Sequence, residues 1–162
     1  MKTLQLSQNK EAFIDDEDFE RVSKFKWTYQ KAYIGVDKNC EYAFTTTGGS
    51  HKTRKRIYLH RFISGAPKGK LVDHVNGNGL DNRKDNIRFA THSQNQANVK
   101  PKTNKMYSNL KGVSFYKKGS KWMSTITVRG KRMYLGVFST DKEAHEAYKN
   151  ASIKHFGEFS LV

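Results

Sequence analysis

The sequence predicts an α+β protein built from two small halves, each a short antiparallel sheet with helical support. Three observations lead there. Several short segments alternate apolar and polar residues, two helix starts carry a Thr-x-x-Gln/Glu signature, and residues 101–111 are polar without apolar periodicity. A chain of 162 residues with 36% hydrophobic content leaves each half a modest core. Trp27, Trp122, ten Phe and eight Tyr, spread along the chain, argue against wholesale disorder.

In chain order, Leu4-Gln5-Leu6 starts a strand. The acidic run from Asp15 to Glu20 opens a helical turn leading to Val22, Phe25 and Trp27. Tyr29 to Val36 and Tyr42 to Thr47 alternate as the strands of a hairpin would. His51-Lys52-Thr53-Arg54-Lys55-Arg56 reads as a basic loop suited to phosphate, with Arg54 and Arg56 as its contacts. Leu71 to Val75 is a short strand ending at the turn residues Asn76-Gly77-Asn78-Gly79, and Ile87 to Ala90 returns. Thr91 with Gln94 caps a helix running to Pro101.

Residues 101–111 then read as a linker between a first domain at 1–100 and a second at 112–162. In the second, Gly112 to Tyr116 begins a strand and Lys117 to Ser120 turns. Trp122, Ser124, Ile126 and Val128 form one face of the next strand, continued past Gly130 by Met133, Leu135 and Val137. Thr140 with Glu143 opens a helix whose Ala144, Ala147, Tyr148 and Ala151 would cover that sheet.

Thirty Lys and Arg against fifteen Asp and Glu give +15. The excess is uneven: −1 over residues 1–50, +10 over 51–110 and +6 over 111–162. Such a field attracts polyanions, so nucleic acid is the first partner to consider. A membrane surface is second, and the lack of a basic amphipathic helix with bulky apolar anchors weighs against it. Cys40, the single cysteine, excludes an intrachain disulfide and a Cys-x-x-Cys zinc site. With no signal peptide and no run of about 18 apolar residues, the expectation is a soluble, cytoplasmic monomer.

The densest polar cluster lies at 73–95. Neighbours on a strand, Asp73 and His74 leave by opposite faces, so a twist at the strand end is needed for both to serve one site. Asn95, in the first turn of its helix, has an amide oxygen suited to share a hard cation, Mg2+ or Mn2+, with the Asp73 carboxylate. His74 titrates near neutrality and suits a general base acting on a water aimed at phosphorus. Asn86 is better placed to brace the loop than to touch substrate. His51, His60, His145 and His155 read as structural.

Asp73-His74, with Asn86 twelve residues after the His and Asn95 nine later, resembles the HNH endonuclease family, specifically its phage and intron-encoded homing branch. Leu59 to Ile63 resembles the helix that leads into the motif. The resemblance implies a ββα-metal core, cation ligation by Asp73 and Asn95, a general base at His74 and a structural Asn86. Residues 112–162 resemble the APETALA-type (ethylene-response-factor) DNA-binding domain through Gly112-Val113, Lys121-Trp122, Tyr134-Leu135-Gly136-Val137-Phe138 and Glu143-Ala144. By that resemblance Lys111, Ser114, Tyr116, Thr125, Thr127, Arg132 and Tyr134 face double-stranded DNA. The expectation is a metal-dependent, homing-type endonuclease that nicks one strand, acting in a phage or bacterial host cell. The alternatives are a non-catalytic DNA-binding regulator and a low-specificity phage nuclease.

Overall fold

A computed structural model describes residues 1–34, 37–50, 53–101 and 108–161. The fold mixes four α-helices with four small antiparallel sheets among those residues. The chain divides into two compact units, 1–90 and 91–162. That division differs from the sequence boundary at 100, because the helix after the 73–90 hairpin groups with the C-terminal residues. Residues 102–107 of the linker, His51-Lys52 and Val36 lie outside the described residues. No described helix is long and apolar enough to cross a membrane.

The first unit starts with a hairpin of β1 (Lys2–Gln5) and β2 (Glu11–Ile14), followed by α1 (Asp16–Ser23). Asp16, Glu17 and Asp18 in the first turn and Arg21 in the last complement the helix dipole. The three-stranded sheet is ordered β3 (Thr28–Ile34), β4 (Asp37–Thr47), β5 (Lys55–Tyr58). The fifth strand corrects the reading of 51–56 as a loop: Thr47 pairs Lys55 and Phe44 pairs Tyr58. Lys55 and Arg56 are both exposed on this edge strand, and charge there discourages further pairing.

Next come α2 (Leu59–Ser64), which stops at Gly65 in the left-handed region, and the hairpin of β6 (Leu71–His74) and β7 (Ile87–Ala90). Leu4, Ala12, Ile14, Val22, Trp27, Ala43, Leu59, Ile63 and Leu80 meet in one core. Leu80 brings the β6–β7 loop into it. That loop is also stitched to β2, since Phe13 N–H donates to Leu80 O and Asn82 N–H to Phe13 O, both at 2.8 Å.

In the second unit, α3 (His92–Asn98) is followed by a sheet ordered β8 (Val113–Tyr116), β9 (Lys121–Val128), β10 (Lys131–Phe138), and by α4 (Asp141–Phe156). Both capping boxes form, at Thr91/Gln94 and at Thr140/Glu143, and α3 ends short of Pro101. The buried stripe of α4 is Ala144, Tyr148, Ser152 and Phe156; Ala147 and Ala151 lie at its margin. A Cβ on Gly112 would sit 1.9 Å from the Tyr148 ring, and its φ of +75° suits glycine alone.

One expectation fails here. A bulge between Tyr134 and Gly136 inserts Leu135, so Val137 pairs Met123 and Phe138 pairs Trp122. Beyond the bulge the alternation reverses: Phe138, not Val137, continues the face that α4 covers.

Candidate active site

β6 and β7 register Asp73 opposite Arg88 and His74 opposite Ile87. Asp73 and His74 are each 6% exposed and leave by opposite faces into different surroundings. On one face, Arg88 Nε donates to Asp73 Oδ2 at 3.1 Å and Nη2 lies 3.1 Å from the same oxygen.

On the other, the His74 ring stands edge-on to His60 at 5.1 Å between centroids and tilts against Tyr42 at 6.0 Å. Tyr58 stacks on His60 at 5.6 Å. Burial lowers the His74 pKa below the ordinary value; a hydrogen bond with Asn82 and the nearby Asp73 and Asp81 carboxylates pull it back up. The ring is therefore neutral near pH 7, the form that accepts a proton. Burial, then the His74 and Arg61 charges, hold His60 down to about 3.

The loop between the strands is fixed by its own polar side chains. Asn76 Oδ1 accepts from Asn78 N–H at 2.8 Å and Asn78 Oδ1 from Leu80 N–H at 3.1 Å, the local turns that Asn favours. Asn86 Oδ1 accepts from Asn76 N–H at 3.0 Å, and Asn86 Nδ2 donates to Asp81 O at 2.7 Å, so Asn86 braces both ends. Arg83 grips both Asp81 oxygens at 2.8 Å, and that hydrogen bonding holds the Asp81 carboxyl below its usual range. Gly79 lets the loop lie on β4: a Cβ there would meet Glu41 O at 2.2 Å and the Tyr42 ring at 2.7 Å.

A hard divalent cation fits this donor set. No group of three His, Cys, Asp or Glu converges among the described residues, as a caged site needs. One buried carboxylate suits a hard divalent cation that keeps waters and takes further oxygens from a phosphate.

Of the other sequence candidates, Asn95 is half-buried on α3, in the second unit, with its N–H donating to Thr91 O. Arg54 and Arg56 are exposed; Arg56 bonds Gln30 and lies over the Phe44 ring at 4.2 Å. In the second unit, register sets Ser114, Tyr116, Thr125, Thr127, Arg132 and Tyr134 on the sheet face away from Ser124 and Ile126. Tyr134 is 65% exposed, and Arg132 bonds Thr125 Oγ1. Lys111 is placed elsewhere: its ammonium bonds the carbonyls of Ala97 and Leu161, and burial lowers its pKa to about 8.

Sequence reasoning missed Arg88, Tyr42 and Asn82. Arg88 lies opposite Asp73 through the register that Val75 N–H bonding Asn86 O fixes across the loop, a pairing that only the structure shows. Nothing local to Tyr42 announces its place against His74.

Residues 58–97 match the family model described as HNH endonuclease. This segment is thus similar to HNH endonuclease domains. Protein 3.8 of Escherichia phage T7 is 43% identical over 81 residues, 49% of this chain and 65% of that protein. The chain thus spans just under two thirds of that relative. An uncharacterized HNH endonuclease of Acanthamoeba polyphaga mimivirus is 27% identical over 149 residues, 92% of this chain and 72% of that one. APETALA2-like protein 2 of Oryza sativa is 44% identical over 50 residues, 31% of this chain and 12% of the plant protein. No solved structure matches.

Proposed function

We propose that the chain is a metal-dependent DNA endonuclease of the homing type that nicks one strand of double-stranded DNA, with His74 as general base. The observation that carries the reading is a neutral, buried imidazole one residue along β6 from a buried carboxylate, inside the matched segment.

His74 takes a proton from the water that attacks phosphorus; the bond from phosphorus to the 3′ oxygen breaks, and a solvent proton completes the 3′-hydroxyl, leaving 5′-phosphate and 3′-hydroxyl ends. Asp73 and, by its place in the motif, Asn95 would hold Mg2+ or Mn2+, which offsets charge developing on the phosphate and the leaving oxygen. The aromatic wall of Tyr42, Tyr58 and His60 fixes the plane of the His74 ring and keeps bulk water off that side. Asn86 holds the loop, not the substrate. Arg54 and Arg56 contact phosphates. The APETALA-like sheet face, Ser114, Tyr116, Thr125, Thr127, Arg132 and Tyr134, lies in the major groove. Acting as a monomer, one such site cuts one strand per encounter.

Conversion of supercoiled plasmid tests this, using wild type and His74→Ala with Mg2+, Mn2+ or EDTA. The expected result is relaxed circles from wild type, abolished by EDTA and reduced about 10²- to 10⁴-fold in the variant. Linear product would replace nicking with paired cutting. Binding without conversion in any metal would make the chain a DNA-binding regulator.

A further inference from the structure

The pairing of Asp73 with Arg88 has no role in the scheme above, and it is an unusual pairing for a cation ligand. Both contacts, at 3.1 Å, fall on one carboxylate oxygen, Oδ2. Its neighbour Asp81 is gripped differently, by one Arg83 nitrogen on each oxygen, with Asn76 added to Oδ2. The side chains of Asp73 and Arg88 are 7% and 14% exposed, so water screens the pair poorly, and the hairpin register holds them opposite each other.

A guanidinium and a divalent cation on the same poorly screened carboxylate repel each other. A phosphodiester relieves that repulsion, because its two unbridged oxygens accept the planar fork of an arginine and its charge offsets both cations. We propose that Arg88 is a positioning residue that exchanges Asp73 for the DNA phosphate, so that the protein takes up its divalent cation together with DNA rather than before it. The inference rests on Asp73 being a cation ligand.

Three consequences follow from the exchange. The DNA-free protein binds the cation weakly, because Arg88 occupies the carboxylate. DNA strengthens cation binding, and the cation strengthens DNA binding by the same factor. Removing the Arg88 charge uncouples the two.

The test counts bound Mn2+ by the loss of the free-ion electron paramagnetic resonance signal, using the full chain in a His74→Ala background that cuts too slowly to consume the duplex. Each protein is titrated alone and with a saturating duplex. In the parent, duplex is expected to tighten Mn2+ binding at least tenfold. With Arg88→Gln the DNA-free affinity rises several-fold and the gain from duplex falls to less than threefold. Arg88→Lys, which restores a charge in case the neutral variant is poorly folded, recovers most of the gain.

If Arg88→Gln is folded by circular dichroism and keeps the parent's DNA-dependent gain, or binds Mn2+ more weakly alone, Arg88 is only a structural prop and the proposal is overturned. Asp73→Ala separates the two readings. Mn2+ binding unchanged in that variant removes Asp73 as a ligand and the proposal with it. Binding lost there, with coupling unchanged in Arg88→Gln, removes only the exchange.

Discussion

Two connections in this protein join neighbouring antiparallel strands and are held by opposite means. Between β9 and β10 the chain turns in two residues, Arg129 and Gly130, both with positive φ (+50° and +78°), and the strands pair immediately on either side. Between β6 and β7 the chain runs from Val75 to Asn86, held by the side chains of Asn76, Asn78, Asp81, Arg83 and Asn86 and by the backbone of β2. A tight turn with helix backing leaves the outward residues of its sheet free of core duties. A long loop that must hold charged and polar groups in register needs every one of its polar atoms placed.

The largest expected effect separates the two connections directly. Gly79→Ala forces the loop off Glu41 and Tyr42, costing about 3 kcal/mol and at least a hundredfold in cleavage. Gly130→Ala has nothing within 4 Å of its added carbon and costs about 1–2 kcal/mol from its left-handed backbone alone, leaving cleavage within threefold. Thermal melting and the plasmid assay check both, and equal losses would erase the contrast.

Next is Asn86→Ala, which strands Asn76 N–H and Asp81 O. At about 1–3 kcal/mol per unsatisfied group, chemical denaturation should show a loss of about 2–4 kcal/mol. A loss below about 1 kcal/mol would mean the loop does not depend on its polar stitching.

Acid sharpens the comparison further. Burial depresses the pKa of both His60 and His74, so the folded chain binds fewer protons than the unfolded one below the unfolded value of about 6.5. Stability is therefore full above that pH and falls as pH drops toward 3, by up to about 1.4 kcal/mol per pH unit for each group. His60→Phe, which cannot take up a proton, should flatten the fall measured by melting between pH 6.5 and 4. An unchanged slope would show that His60 is solvated.

The smallest effect on stability belongs to the sheet face. Tyr134→Ala should change stability by no more than about 0.5 kcal/mol while weakening DNA binding about fivefold or more, read by fluorescence anisotropy. Arg132→Ala should also lower the salt dependence of binding by about one phosphate contact. A large drop in melting temperature for Tyr134→Ala would show that this face is committed to the core after all.

The regular elements were largely legible in the sequence. Ile87–Ala90, the two capping boxes and the β8–β9 alternation rest on local rules, and each element formed at or near its predicted residues. What escaped depends on distant partners. Lys55–Tyr58 is a strand because Phe44 to Thr47 lies beside it, and its basic composition alone suggests a loop. The bulge at Leu135 exchanges the faces of Val137 and Phe138, and apolar alternation cannot reveal an inserted residue. At the candidate site, the local text showed the strand bearing Asp73 and His74 and the turns of the loop. It did not show Tyr42 against the imidazole, a contact made through the third dimension by residues read as a plain hairpin.

The bond from Lys84 N–H to Asp15 Oδ2 spans 69 residues of sequence, and the bonds between Phe13 and the 80–82 segment run beside it. The β6–β7 loop is thus clamped by a hairpin synthesised long before it. During translation the β1–β2 hairpin waits as a half-made socket, and the loop that completes it, 69 residues further on at Lys84, emerges later. A fragment that stops short of that point holds no ordered site. A full chain whose first hairpin frays loses the clamp without any change to the residues of the candidate site. Substitutions on β1 far from the loop should therefore tune cleavage through the fraction of time the socket is closed.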